Sequence, residues 1–313
     1  MPIISENEYT FTSADRITQI HVHEWIPDCD INGVVQLVHG IAEYIERYEG
    51  FARFLAAKGF VVVGNDHLGH GKSVLSQDDI GFFAERDGWM KVVSDVEKLR
   101  VLTAKKYPGV PYFIFGHSMG SFLTRTHLIR FPDAPITGVV LSGTGQNPSA
   151  VVMAGSLLCD TAILKNGPRS RSKTINDIAF GTYNKSFEPR RTDFDWLSSD
   201  PAIVDAYVAD PLCGFLPTVG LFRDMMWGMR YNAKPANLKE MNKELPVYLM
   251  SGDKDPVGSD GIGVAKVYGA FLKAGMKDVL YKFYPEGRHE MLNEMNKDDV
   301  MKDILAWLFK KIG

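Results

Sequence analysis

Gly116-His117-Ser118-Met119-Gly120 is the only G-x-S-x-G pattern in the chain. The apolar run Tyr112, Phe113, Ile114, Phe115 precedes it, and a helical pattern follows. A serine on a tight strand-to-helix turn is forced into a strained backbone geometry, and the flanking glycines remove side chains that would collide there. Such a turn holds the hydroxyl above the sheet, near the positive end of the helix. A hydroxyl becomes a useful nucleophile only when a base takes its proton. On such a scaffold the partners follow in the order serine, acid, histidine. Of the eight histidines, only His289 lies beyond position 127, in the loop 285–289. Elimination and pattern therefore both select His289 as the base. The acid belongs just after the preceding strand, where Asp253 and Asp255 stand in 250–256. One would orient the imidazole; the other is a turn residue beside Gly and Pro. Spacing does not separate them. The oxyanion formed at the carbonyl needs two donors. The N–H of Met119, after the nucleophile, is one, and the N–H of Ile41, in the loop after an early strand, is the other.

Two further histidine clusters admit other readings. His39 could be a base, but it reads better as a loop residue. Asp66, His67 and His70 could be metal ligands. A metal site needs another ligand and a supporting shell, which nothing here specifies. The segment 65–73 reads instead as a glycine-rich structural loop. The chemistry so assembled needs no metal and no organic cofactor.

The elements that must position these residues alternate along the chain. Residues 9–26 read as a hairpin, with Ile17 in a strand and 13–15 as the turn. Apolar runs at 34–38, 60–63, 111–115, 138–141, 247–250 and 279–284 read as strands. Helical patterns occupy 44–55, 88–106, 118–129, 262–274 and 298–311. Strands apolar throughout, separated by amphipathic helices, predict an α/β fold with a mostly parallel sheet covered on both faces. The alternation breaks between 144 and 240, where helix-like segments such as 151–164 and 203–207 appear without a clear strand. The expected organisation is a core domain of 1–143 and 241–313 with a mostly helical cap at 144–240.

The chain has 313 residues, 35 basic and 38 acidic, for a net charge of −3. That balance predicts no nucleic-acid partner. The densest basic stretch, Arg169, Arg171 and Lys173, reads as a solvated loop. Three distant cysteines argue against a disulfide framework and a cysteine-rich metal site. Residues 1–12 lack a signal-peptide core, and no apolar run is long enough to insert stably in a membrane. The expected address is the cytoplasm.

On these residues the sequence resembles the α/β-hydrolases that include monoglyceride lipases, bacterial lysophospholipases and related carboxylesterases, over nearly the whole chain. His39-Gly40 with Glu43, Arg47 and Tyr48 is similar to that group's oxyanion-loop signature. Asp66-His67, Gly69-His70-Gly71 and Ser73 are similar to a second one, and 116–120 to its nucleophile elbow. The group's acid motif, Gly-x-x-Asp, falls on Gly252 and Asp255, and its histidine falls at Gly287-Arg288-His289. The resemblance thus implies Asp255 as the triad acid. It departs at Ala42 and Tyr44, where many of the group's lipases have Gly and His, and in the long insertion.

The insertion is rich in Leu, Met and Phe. Leu158, Phe215 and Met226 are candidates for the substrate pocket, and the expected partner is a small-molecule ester with an apolar acyl group. The rival reading is a peptidase of the proline-iminopeptidase kind, with cap acids (Asp160, Asp177, Glu188, Asp193, Asp195, Asp205) holding a free amine. A catalytically inactive binding protein is the other rival. A dehalogenase would need a carboxylate at position 118.

Overall fold

The computed structural model describes residues 4–313; Met1, Pro2 and Ile3, the start of the segment read for a signal peptide, lie outside the described residues. An antiparallel hairpin of β1 (Ile4–Thr12) and β2 (Gln19–Pro27) opens the chain. There follow β3 (Gly33–Val38), α1 (Glu49–Ala56), β4 (Phe60–Asn65), α2 (Gly88–Lys106), β5 (Tyr112–His117), α3 (Met119–Arg130) and β6 (Gly138–Ser142). Five helices come next: α4 (Ser149–Asn166), α5 (Lys173–Phe180), α6 (Pro201–Ala209), α7 (Val219–Ala233) and α8 (Pro235–Leu238). The chain ends with β7 (Val247–Gly252), α9 (Ile262–Lys273), β8 (Val279–Tyr284) and α10 (Lys297–Ile312). All eight strands form one sheet in the order β1-β2-β4-β3-β5-β6-β7-β8. From β4 to β8 every pairing is parallel.

The pleat divides the core between the two faces. Val34, Ile114 and Val139 join one apolar cluster, with Val92 and Val96 of α2, Leu123 of α3 and Val267 of α9. Their neighbours Val35, Phe113 and Val140 join the other, with Leu55 of α1 and Ile304 and Trp307 of α10. Alternate residues of a strand point to opposite faces, so strands covered on both sides must be apolar throughout. Every residue of β3 to β7 is buried, and apart from Gln36 their polar side chains sit at the C-terminal ends, whereas β8 is only partly covered. Its Tyr281 and Lys282 are exposed, because an edge strand has no strand beyond it and only partial cover.

Two local expectations are corrected. The hairpin turn spans 13–18 rather than 13–15, and Ile17 lies in it, exposed. Asp15 builds that turn by accepting the N–H groups of Ile17 (2.8 Å) and Thr18 (2.9 Å). The basic stretch is exposed, as expected, but Lys173 begins α5 and the two arginines are also engaged. Arg169 pairs with Asp79 and stacks 4.0 Å over Phe82, and Arg171 donates to the carbonyls of Ile80 and Leu216.

The chain leaves β3 for β4 on one side and leaves β5 for β6 on the other. A crevice therefore opens at the C-terminal ends of β3 and β5, the usual ligand position of such sheets. Beneath it, His39, His67 and His70 are buried together. The rings of His39 and His67 stack at 3.9 Å. Burial pushes His70 down to about 4 and holds His39 and His67 well below 6.5. Depressed folded values mean that the stability these rings provide is full above the unfolded value near 6.5. It is lost as pH falls towards the folded values. Asp95 and Asp224, pushed up to about 6 by burial, act in the opposite sense below pH 6. Urea unfolding is expected to show a net loss of stability between pH 7.5 and 5. His70→Asn is expected to shrink that loss by about 2 kcal/mol.

Candidate functional site

Ser118 follows β5 and precedes α3 with φ 51° and ψ −122°. This conformation is strained for a residue with a side chain. Its N–H donates to Ser142 O at 2.9 Å, which ties the turn to the end of β6. The glycines are required by contact. A Cβ on Gly120 would collide with the carbonyl oxygens of Val38 and His39, and one on Gly116 would meet Gly120 O at 2.7 Å.

His289 lies in the loop after β8, with its Nδ1 2.9 Å from Asp255 Oδ1. Asp255 is fully buried; it also accepts the Val257 N–H at 2.9 Å and the Ser251 hydroxyl at 3.0 Å. Asp253 instead accepts the Glu286 N–H at 2.8 Å and is a turn residue. Burial alone would lower the His289 pKa, but the charge and hydrogen bond of Asp255 reverse this and raise it. The buried Nε2 makes no hydrogen bond to any described residue, Ser118 included, although both residues line one cavity. Such contacts are often loose before substrate arrives.

The imidazole is walled by rings. His117 stands 4.7 Å and Trp196 5.1 Å from it, centroid to centroid. Gly143 closes the remaining side. With φ +59°, it would place a Cβ 2.7 Å from His289 Cε1. Sequence reasoning passed over this residue; its only signal was a glycine directly after a buried strand.

The loop after β3 presents Gly40 and Ile41. Among the described residues, the N–H groups of Ile41 and Met119 donate to no protein acceptor. The Gly40 N–H donates to Glu43 Oε1 at 2.5 Å, and a Cβ there would approach the Ser118 Cβ to 3.2 Å. His39 accepts the His67 N–H through Nε2 at 3.0 Å and donates through Nδ1 to Gly40 O at 2.7 Å. It braces the loop and does not face the cavities at Ser118.

Glu43 begins a buried network that spacing did not reveal. It accepts from Tyr48 at 2.9 Å and from Arg47 at 2.7 Å. Arg47 also makes a two-pronged bond, at 2.9 and 2.8 Å, to Glu290, the neighbour of His289. Burial raises the Glu43 carboxyl pKa. Burial acts the same way on Glu290, but the Arg47 charge and bonds overcome it and hold that group down at about 2. One guanidinium therefore joins the loop of Ile41 to the loop of His289.

The segment between β6 and β7 is sewn to both loops. Tyr207 OH (2.9 Å) and Gly214 N–H (3.0 Å) donate to Ala42 O, and Tyr44 OH donates to Asp210 at 2.8 Å. The N–H groups of His289 and Glu290 donate to Trp196 O and Leu197 O. Two cavities meet at Ser118 beneath this segment. One, of about 470 Å³, is apolar and lined by Met119, Phe122, Leu158, Met225 and Met226. The other, of about 680 Å³, is lined by Phe215 and Trp196 with a polar rim of Asn176, Asp177, Arg190 and Asp193. The cap acids are engaged: Asp177 with Lys173, Asp193 with Arg190, Asp205 with Arg191, and Asp195 with its own turn. Glu188 accepts the Arg190 N–H at 3.1 Å, and the exposed Asp160 lines neither cavity at Ser118.

A family model described as serine aminopeptidase, S33 matches residues 30–296. The chain is 29% identical to a monoacylglycerol lipase of Mycolicibacterium smegmatis, over 97% of each chain. Its structure is similar to that of a carboxyl esterase from Bacillus coagulans in complex with glycerol, with a TM-score of 0.92 and 28% identity over 99% of each chain. It shares its fold with a monoglyceride lipase from Saccharomyces cerevisiae, with a TM-score of 0.76 and 21% identity over 97% of this chain and 94% of that one.

Two substitutions test this geometry. Gly143→Ala should displace the imidazole and lower kcat/KM for esters about 100-fold, with the fold retained by circular dichroism. Arg47→Met leaves two buried carboxylates uncompensated. Denaturant unfolding should show it less stable by about 3–5 kcal/mol.

Proposed function

The chain belongs to the serine aminopeptidase S33 family, within the monoglyceride lipase and lysophospholipase group of α/β-hydrolases, and we propose that it cleaves monoacylglycerol-like esters through an acyl-enzyme on Ser118. It is a serine ester hydrolase of the lipase and esterase type. The observation that carries the residue assignment is the strained Ser118 turn opening onto the same cavity as a buried, Asp255-paired His289. Nε2 of His289 takes the hydroxyl proton as Oγ of Ser118 attacks the carbonyl. The N–H groups of Ile41 and Met119 hold the oxyanion. The alcohol leaves with the proton from His289. Water, deprotonated by His289, then releases the acid, while Asp255 holds the ring in one tautomer throughout.

Residues 144–240 act in this reading as a cap over a core of 1–143 and 241–313. The apolar cavity takes the acyl chain, and Leu158 and Met226 line it. Methionine suits a flexible chain. The wider cavity beside Phe215, with its polar rim, takes the alcohol. The relative that bears the name monoacylglycerol lipase supports a glycerol ester. The engaged cap acids count against an amine-reading peptidase, and the complete triad counts against an inactive binding protein. Among the described residues no helix is long and apolar enough to cross a membrane. A cytoplasmic address belongs to the same reading, supported by three unpaired cysteines.

The test is hydrolysis of monoacylglycerols and p-nitrophenyl esters of graded acyl length. The wild type should cleave apolar acyl esters, and Ser118→Ala should lose at least about 10⁴-fold in kcat. Faster cleavage of aminoacyl amides with a free N-terminus would overturn the reading. Because Asp255 raises the His289 pKa, the acid limb of kcat/KM should lie above pH 6.5, since only the neutral ring accepts the proton.

A further inference from the structure

Glu8 of β1, His23 of β2 and Glu46 of the 3-10 turn Ile45–Tyr48 converge at the antiparallel edge of the sheet. None of them lines the cavities at Ser118. One nitrogen and two carboxylate oxygens lie within 4.8 Å of one another. The His23 side chain is only 7% exposed, and its Nε2 donates to Glu6 Oε2 at 3.0 Å. A neutral imidazole that donates from Nε2 carries its lone pair on Nδ1. This Nδ1 is buried without a hydrogen-bond partner. It faces Glu8 Oε1 at 3.9 Å and Glu46 Oε1 at 3.8 Å, too far for a hydrogen bond. A lone pair aimed at two carboxylates is repulsive unless a cation stands between them. Stacking on Trp25 at 4.1 Å fixes the ring plane, and a flip within that plane would forfeit the bond to Glu6.

We propose that Glu8, His23 and Glu46 form a binding site for a divalent first-row transition cation of the zinc type. Glu6 completes the carboxylate–histidine–metal arrangement that fixes the ring's tautomer and strengthens the ligand nitrogen. Three protein ligands of the N/O class leave a fourth, water-filled position, as zinc accepts. The imidazole disfavours calcium and magnesium, which take oxygen ligands. Lys72 is a resident counter-charge, beside His21, whose Nε2 bonds Glu8 Oε2 at 2.9 Å. Its Nζ lies 2.7 Å from Glu46 and 3.1 Å from Glu8, on a half-exposed side chain free to swing into solvent. The metal displaces that ammonium and draws the three ligands together. It thereby pins the edge hairpin to the turn that also carries Arg47. Nothing in the spacing 8, 23, 46 marks this site; the register of β1 on β2 creates it.

The experiment is calorimetric titration of the full chain with ZnCl₂ at pH 7.5, in a Cys29→Ser background that removes the exposed thiol as a competing ligand. One ion should bind per chain, and at 100 times Kd the Tm should rise by about 5 °C. Glu46→Gln and His23→Ala should each weaken binding at least about 10-fold, and Lys72→Ala should tighten it. Visible absorption of bound Co²⁺ should report a nitrogen and oxygen ligand set, and it should be lost in Glu46→Gln. Absence of saturable binding in the background protein overturns the proposal, as does binding that is no tighter in Lys72→Ala or unchanged in Glu46→Gln. The last two readouts stand even if His23→Ala does not fold.

Discussion

The site depends on a buried cation held between two carboxylates. Arg47 bonds Glu43, which holds the loop of Gly40 and Ile41, and Glu290, which follows His289. Those loops come from opposite ends of the chain and from different strands. No backbone hydrogen bond of the sheet sets their separation. A planar guanidinium with a fixed fork of donors does so, largely shielded from solvent. The loop of Ile41 and the imidazole of His289 therefore share one anchor. A buried ion triad is weak evidence of stability in itself, since desolvating three charges is costly. Its presence is explained by what it positions.

The same economy runs through the segment between β6 and β7. It docks on the two loops that the Arg47 triad joins. Ala42 has a positive φ of 55°, and its carbonyl receives Tyr207 and Gly214. Tyr44 reaches Asp210. These two positions depart from the pattern of many lipases in the group, and here both serve as contacts for the helical segment. The rings that wall His289 are likewise mixed in origin: His117 comes from the sheet and Trp196 from the segment above it. The helical segment and the His289 ring are thus held by shared contacts. Two cavities of different polarity meet at the serine because that segment lays an apolar helix, α4, over one side and a loop with charged pairs over the other.

Much of the frame was legible in the sequence. The strands β3 to β7 are apolar on both faces because helices cover both, so their runs stand out without any alignment. The G-x-S-x-G turn announces itself because glycine alone fits where backbone atoms crowd within 3 Å. His289 could be found by elimination, since no other histidine follows position 127. Local signals were weaker at the edges. Ile17 looked like a strand residue because its type is, yet Asp15 claimed its N–H for a turn. The strand β8 was found by its residue types, but its exposure was hidden, because an edge strand differs from a central one only in what lies beside it.

Residue types and order along the chain determined the candidate chemistry: a serine on a forced turn, a later acid and a last histidine. Those features are local, or follow from chain order, so one dimension suffices to express them. Tertiary structure decided the rest. It gave the physical reason for Asp255 over Asp253, which spacing left open and only the motif resemblance had chosen: one carboxylate faces the ring and the other closes a turn. It brought Arg47 to Glu290 across 243 positions, placed Gly143 against the imidazole, and aimed His23 at Glu8 and Glu46. Such contacts depend on crossover direction and strand register, which belong to the folded chain as a whole and leave no mark at any single stretch of sequence.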